Sequence, residues 1–275
     1  MSDQPDVFFL PIAGRGQRLV VHHPPVGGVT RGCVIYVHPF AEEMNKSRRM
    51  AALQSRAFAR AGYAVVQLDL LGCGDSSGDF GEATWQDWTA DVACAVQWVR
   101  DRYDAPLTLW GLRAGCLLAI EAAKDLPAPC NLLFWQPPTA GKVLLQQFLR
   151  LKVAADMLDG QAKGAMDALR AQLAAGETVE IAGYGLNPAL ASGLETATLS
   201  PPIQTRQVAW LEVSPREDLA LLPASAAMVQ RWQQAGCTVT AQVVQGPAFW
   251  QTSEIEEAPA LIDATLAALA DSVAA

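Results

Sequence analysis

Short apolar runs alternate with longer segments of helical period along most of this 275-residue chain. That alternation constrains the fold more than any other feature, because parallel strands need crossovers long enough to be helices. Residues 6–12 and 17–22 read as an opening antiparallel hairpin turned at Gly14-Arg15-Gly16, and residues 33–37 as a β-branched and aromatic strand ending at His38-Pro39-Phe40. A helix is expected over 46–61, with Met50, Leu53, Ala57 and Phe58 on its apolar face and Gly62 as its left-handed stop before a strand over 64–70. Trp88, Val92, Ala95 and Val99, three or four apart, mark a second helix over 85–102. A strand over 107–110, a helix over 116–123 and a strand over 131–135 follow. The fold class is therefore α/β: a mainly parallel eight-stranded sheet with helices on both faces.

Gln136-Pro137-Pro138 breaks the pattern. From 140 to about 199 the chain is helical, rich in Ala, Leu and Gln, with no convincing strand. Val143, Leu144, Gln147, Phe148 and Leu151 form one mostly apolar face and residues 165–174 another, while Gly183, Gly185, Pro188 and Gly193 punctuate the segment and Pro201-Pro202 closes it. This is the pattern of a helical cap (137–205) inserted between two parts of one core (1–136 and 206–275). The second part carries strands over 208–213 and 239–244, a helix over 224–235 and a last helix near 259–269.

Hydrophobic residues make up 51% of the chain and charged residues 17%, which excludes disorder, and the longest apolar stretches fall short of the ~20 residues needed to span a bilayer. The first residues have no basic region and residues 7–10 are too short for a signal-peptide core, so a cytoplasmic protein without an integral membrane segment is expected. Six scattered cysteines without a Cys-x-x-Cys argue against a disulfide framework and a structural zinc site; no metal or cofactor is called for. A net charge of −8 without a basic run disfavours nucleic acid as a partner.

The chemistry concentrates where parallel strands end, the edge at which open α/β sheets bind ligands. Gly111-Leu112-Arg113-Ala114-Gly115 has the build of a strand-to-helix turn that exposes a serine nucleophile, but its centre is arginine. The histidines, His22, His23 and His38, all precede it, although this scaffold supplies its triad in the order nucleophile, acid, histidine. Arg113 above a helix N-terminus favours an anion; alternatively it pairs with Glu42 or Glu43 and plugs the turn. Phe40 and Ala114 are candidate N–H donors of an oxyanion hole. His38 is a candidate base or a hydrogen-bonded structural histidine, and Glu42, Glu43, Lys46, Arg48 and Arg49 otherwise form a solvated helix terminus. The glycine-rich loop over 69–78 turns the chain; its Cys73, Ser76 and Ser77 lack an evident base. Glu212 and Asp218 stand where the acid of a triad is delivered, Gly246-Pro247-Ala248-Phe249-Trp250 stands in place of the histidine, and Ser253 to Glu256 matches a helix capping box.

HPFAEEMNKSRRM (38–50), LDLLGCGDSSGDF (68–80), GLRAGCLLA (111–119), Trp135-Gln136-Pro137, GETVEIAGYGL (176–186) and GPAFWQTSEIEE (246–257) together resemble the exosortase A system-associated hydrolase 2 family of the α/β-hydrolase superfamily over nearly the full length. The resemblance implies an α/β-hydrolase fold and an accessory role, with exosortase-system proteins as partners, in protein sorting and exopolysaccharide systems of Gram-negative bacteria. The chain departs from serine hydrolases at the nucleophile and at the histidine. Two classes of function stay open. One is a non-catalytic or atypical protein holding an anionic acyl, lipid-phosphate or peptide ligand in a pocket bordered by Phe40, Glu42, Glu43, Arg113, Ala114 and Trp250. The other is an active hydrolase or acyltransferase with His38 as base and Arg113 stabilising an oxyanion.

Overall fold

Two glycines at positive φ, Gly14 and Gly16, turn β1 (Asp6–Pro11) antiparallel onto β2 (Gln17–His23), and β2 continues antiparallel onto β4 (Tyr63–Leu68). From β4 onward the sheet is parallel, through β3 (Gly32–Val37), β5 (Leu107–Leu112), β6 (Asn131–Trp135), β9 (Gln207–Ser214) and β10 (Thr238–Gln245). The eight strands lie in the order β1-β2-β4-β3-β5-β6-β9-β10. This is a computed structural model, and it describes residues 4–158, 164–201, 205 and 207–274.

β3 and β5 are buried along their whole length because helices cover both faces of the sheet. Side chains alternate between two cores: Leu107 and Leu109 point to one, Trp110 and Leu112 to the other. The first core is closed by α2 (Trp85–Arg100), α3 (Ala114–Lys124) and α7 (Pro223–Gln234), through Trp88, Val92, Leu117 and Trp232. The second is closed by α1 (Glu42–Arg60) and α8 (Pro259–Ala274), through Met50, Phe58, Leu261 and Leu269. No helix among the described residues is long and apolar enough to cross a membrane.

The chain departs from the sequence expectations in three places. α1 begins four residues earlier than its apolar pattern, because Glu42 and Glu43 form an acidic first turn that suits the positive end of the helix dipole while contributing nothing to the apolar periodicity. The segment between β6 and β9 holds α4 (Gly141–Leu158), α5 (Ala165–Ala174) and α6 (Pro188–Thr196), but also a small antiparallel hairpin, β7 (Val179–Ile181) with β8 (Tyr184–Leu186). Ala182 and Gly183 both sit at positive φ, the requirement of a two-residue hairpin turn, and strands of three residues are too short to announce a period of two. Residues 253–256 do not cap a helix: α8 starts at Pro259, whose fixed φ suits a first helical position, and Glu257 instead pairs with Arg49. Of the closing Pro201-Pro202 pair, Pro202 lies outside the described residues.

One ion pair crosses the core. Arg18 Nε on β2 donates to Asp91 Oδ2 on α2 at 2.7 Å, with both side chains fully buried. Asp91 also accepts from Arg15 and from the Leu71 N–H, tying the opening hairpin, α2 and the loop after β4 together. That loop is built on Gly72 and Gly74, both at positive φ; a Cβ on Gly72 would lie 2.4 Å from the Asp79 carbonyl oxygen. Ser76 Oγ donates to the Asp69 carbonyl, Asp69 pairs with Arg48, and burial pushes the Cys73 thiol pKa up, so this loop is structural.

Candidate ligand-binding site

Arg113 takes φ 55° and ψ −119°, a region that L-residues rarely occupy, as the single residue joining β5 to α3. The flanking glycines permit that turn by close approach: a Cβ on Gly111 would lie 2.5 Å from Cys116 Cα, and one on Gly115 would lie 2.1 Å from the Val37 carbonyl oxygen. β3 and β5 are neighbours, with Val37 opposite Gly111, so the loop after β3 meets the turn after β5. Ala41 in that loop is likewise strained, at φ 49° and ψ −127°. Ala114 opens α3, where its N–H has no partner within the helix.

The guanidinium of Arg113 does not wait for a ligand. Its Nε and one terminal nitrogen reach the Glu43 carboxylate at 3.3 and 3.1 Å, and the same terminal nitrogen donates to Gln147 Oε1 on α4 at 3.0 Å. The Trp250 ring covers it at 5.7 Å from the ring centroid. The strained turn after β5 thus carries a paired cation with an indole over it. Of the two acids expected as partners of Arg113, the structure selects Glu43. Burial raises the Glu43 pKa above the ordinary carboxylate value, with Arg113 pulling against it.

His38 is buried, and both ring nitrogens serve main-chain groups: Nδ1 donates to the Pro39 carbonyl at 2.8 Å and Nε2 accepts from the Leu70 N–H at 3.3 Å. With Nδ1 donating and Nε2 accepting, the ring is the neutral tautomer and both nitrogens are engaged by the main chain. Burial lowers its pKa below 6.5, opposed by the nearby Asp69 charge, and burial likewise lowers that of His22. Because the unfolded chain binds these protons at higher pH than the fold does, the stability is complete above pH 6.5 and is lost as pH falls through the lower folded values. We expect the unfolding free energy from urea titrations to drop from about pH 7.5 to about pH 5.5, by up to ~1.4 kcal/mol per pH unit per histidine, and to drop less in His38→Gln. An identical slope in the variant would refute this assignment.

The two candidate acids lie in different surroundings. Glu212 is buried and accepts from Trp210 Nε1 at 2.8 Å, while Asp218 is exposed on the loop after β9. Among the described residues there is no group of His, Cys, Asp and Glu arranged to hold a metal ion.

Above Arg113 lies a cavity of about 390 Å³, within the range that takes small molecules. Phe40, Leu144, Phe148, Leu151 and Trp250 give it apolar walls; Glu42, Glu43, Lys46, Gln147 and Gln251 give it polar ones. Phe40 and Phe148 pack edge to face at 5.1 Å, joining the loop after β3 to α4. Of the expected ligand-contacting residues, Phe40, Glu42, Glu43 and Trp250 line this cavity. Arg113 and Ala114 do not, because Glu43 and Gln147 screen the guanidinium. The anion expected beside Arg113 is thus supplied by the protein itself. Lys46, Leu144, Gln147, Phe148, Leu151 and Gln251 were not recognisable as cavity residues from sequence, although the α4 face they partly belong to was.

Residues 28–161, just under half of the chain, match the family model described as "Serine aminopeptidase, S33". A thermostable monoacylglycerol lipase of Bacillus sp. (strain H-257) is 28% identical over 123 residues, so the match spans 45% of this chain and 45% of that enzyme. Among solved structures, Est1E of Butyrivibrio proteoclasticus bound to ferulic acid superimposes with a TM-score of 0.65 at 16% identity, covering 98% of this chain and 100% of its own. XC6422 of Xanthomonas campestris, an a/b serine hydrolase described as lacking a lid, superimposes with a TM-score of 0.58 at 16% identity, covering 100% and 98%. Strand order, the strained turn after β5 and these superpositions together make this chain a protein of the α/β-hydrolase fold.

Proposed function

We propose that this chain is a non-catalytic ligand-binding protein on a hydrolase scaffold, with residues 137–205 acting as a cap over the cavity and an amphipathic ligand held there without a covalent step. In keeping with the exosortase-associated resemblance, the reading is of a cytoplasmic accessory protein serving protein sorting or exopolysaccharide assembly. One observation carries it: the residue at the nucleophile position is a guanidinium closed by Glu43, Gln147 and Trp250. Guanidinium stays protonated and cannot attack a carbonyl. Phe40, Phe148 and Leu151 supply walls for an acyl or alkyl chain. The likeness to a monoacylglycerol lipase over part of the chain agrees with such a ligand. The alternative of catalysis by His38 and Arg113 has no free base and no free cation to work with. A fluorophosphonate probe should leave the purified protein unlabelled, as read by mass spectrometry of the intact chain. A stoichiometric adduct mapped to any serine would overturn the proposal.

A further inference from the structure

We infer that the free edge of the sheet at β10 is an interface between two copies of this chain, which pair their β10 strands antiparallel about a two-fold axis. Nothing in this interface depends on what the cavity holds.

β10 is the last strand of the sheet, and residues 238–245 have no main-chain partner beyond β9 among the described residues. Thr238, Thr240, Ala241, Gln242 and Gln245 are exposed. Edge strands are ordinarily kept from pairing by a charge, a proline, a bulge or a covering segment. β1, at the opposite edge, begins at Asp6 and ends at Pro11. β10 has neither charge nor proline, and its eight residues pair one for one with β9 without a bulge. It therefore offers a straight row of N–H and C=O groups to another strand.

Charge selects the second copy as the occupant. From Leu219 to Ser253, a stretch that holds α7 and β10, the chain has one charged residue, Arg231, where its overall 17% would place about six. The stretch is on the surface nonetheless: Leu219 and Leu222 are 45% and 56% exposed, and Leu221, Met228 and Val239 are only partly covered where they pack on the first core. Depletion of charge beside exposed apolar side chains is the composition of an interface core. With a net charge of −8, two copies repel over most of their surfaces, and this face is where they approach at least electrostatic cost. A two-fold contact also covers the same edge on both copies and closes there. Antiparallel pairing points the carboxyl ends of the two sets of strands in opposite directions, so the two cavities open at opposite ends of the joined sheet.

The test is sedimentation velocity of the full chain from about 1 to 100 μM, with amide hydrogen exchange at both ends of that range. We expect the mass of two chains at the upper end, and exchange over residues 238–245 that slows with concentration while exchange in β1 does not change. Thr240→Lys combined with Gln242→Lys puts two cations on exposed positions of the edge, at little cost to a single copy, and should weaken the association at least about a hundredfold. A single-chain mass at every concentration overturns the inference, as does an assembly that survives both lysines. Concentration-dependent protection of β1 in place of β10 overturns it as well, by moving the contact to the other edge. The mass and the exchange of the unmodified protein decide the matter even if the variant does not fold.

Discussion

Glu43→Leu should destabilise the protein by about 3–5 kcal/mol, the range for breaking a buried ion pair by removing one partner. The Arg113 side chain is only 10% exposed and that of Glu43 only 14%, so most of the stranded guanidinium would stay out of bulk water. Gln147 would remain as a neutral acceptor for one guanidinium nitrogen, which is not enough to offset a buried charge. Removing both charges is a different experiment. Glu43→Leu combined with Arg113→Met should recover most of the loss, since apolar replacement of a whole buried pair is often neutral or better. Urea unfolding of the two variants, at constant denaturant slope, checks this. A loss under about 1 kcal/mol in the single variant would mean that the pair behaves like an exposed surface bridge.

Asp91→Ala should cost at least as much. Asp91 and Arg18 are both fully buried, and the carboxylate also accepts from Arg15 and from the Leu71 N–H. Its removal strands a buried guanidinium and an inward-facing amide together, for about 3–5 kcal/mol from the ion pair alone. Because these bonds join β1–β2, α2 and the loop after β4, the loss should appear as a lower midpoint for the whole cooperative transition. Arg18→Met with Asp91→Leu tests the cause: the pair should be far less damaging than Asp91→Ala. Equal damage from both would assign the effect to packing at this position and away from the stranded charge.

Much of the architecture was legible in the residues. β6 and α5 fall where the apolar runs and helical period place them, and β2, β3, β5 and α7 differ from the reading by one or two residues at an end, because burial is periodic and period is visible in sequence. The turn at 111–115 was legible because Gly111 and Gly115 are the residues that steric contact with Cys116 and Val37 demands. The hairpin of β7 and β8 was not, since Ala182 at positive φ is a weak turn signal and its neighbours are too few to show alternation. The early start of α1 was hidden because acids in a first helical turn look the same as acids in a loop.

Residue type and spacing alone establish the α/β class, the tight turn at 111–115, arginine at position 113 and the lack of any histidine beyond His38. Those are facts of residue type and local spacing. The partners of Arg113 come from the packing of distant segments. Glu43 lies 70 residues away in the chain and Gln147 lies 34 away, and both reach the guanidinium because α1 and α4 converge on one sheet edge. The same holds for His38, whose neutrality comes from burial and from two main-chain partners, one of them 32 residues distant. Charge pairing and desolvation act through space over a few ångströms, and no local pattern of residues records which distant carboxylate or carbonyl will close that distance.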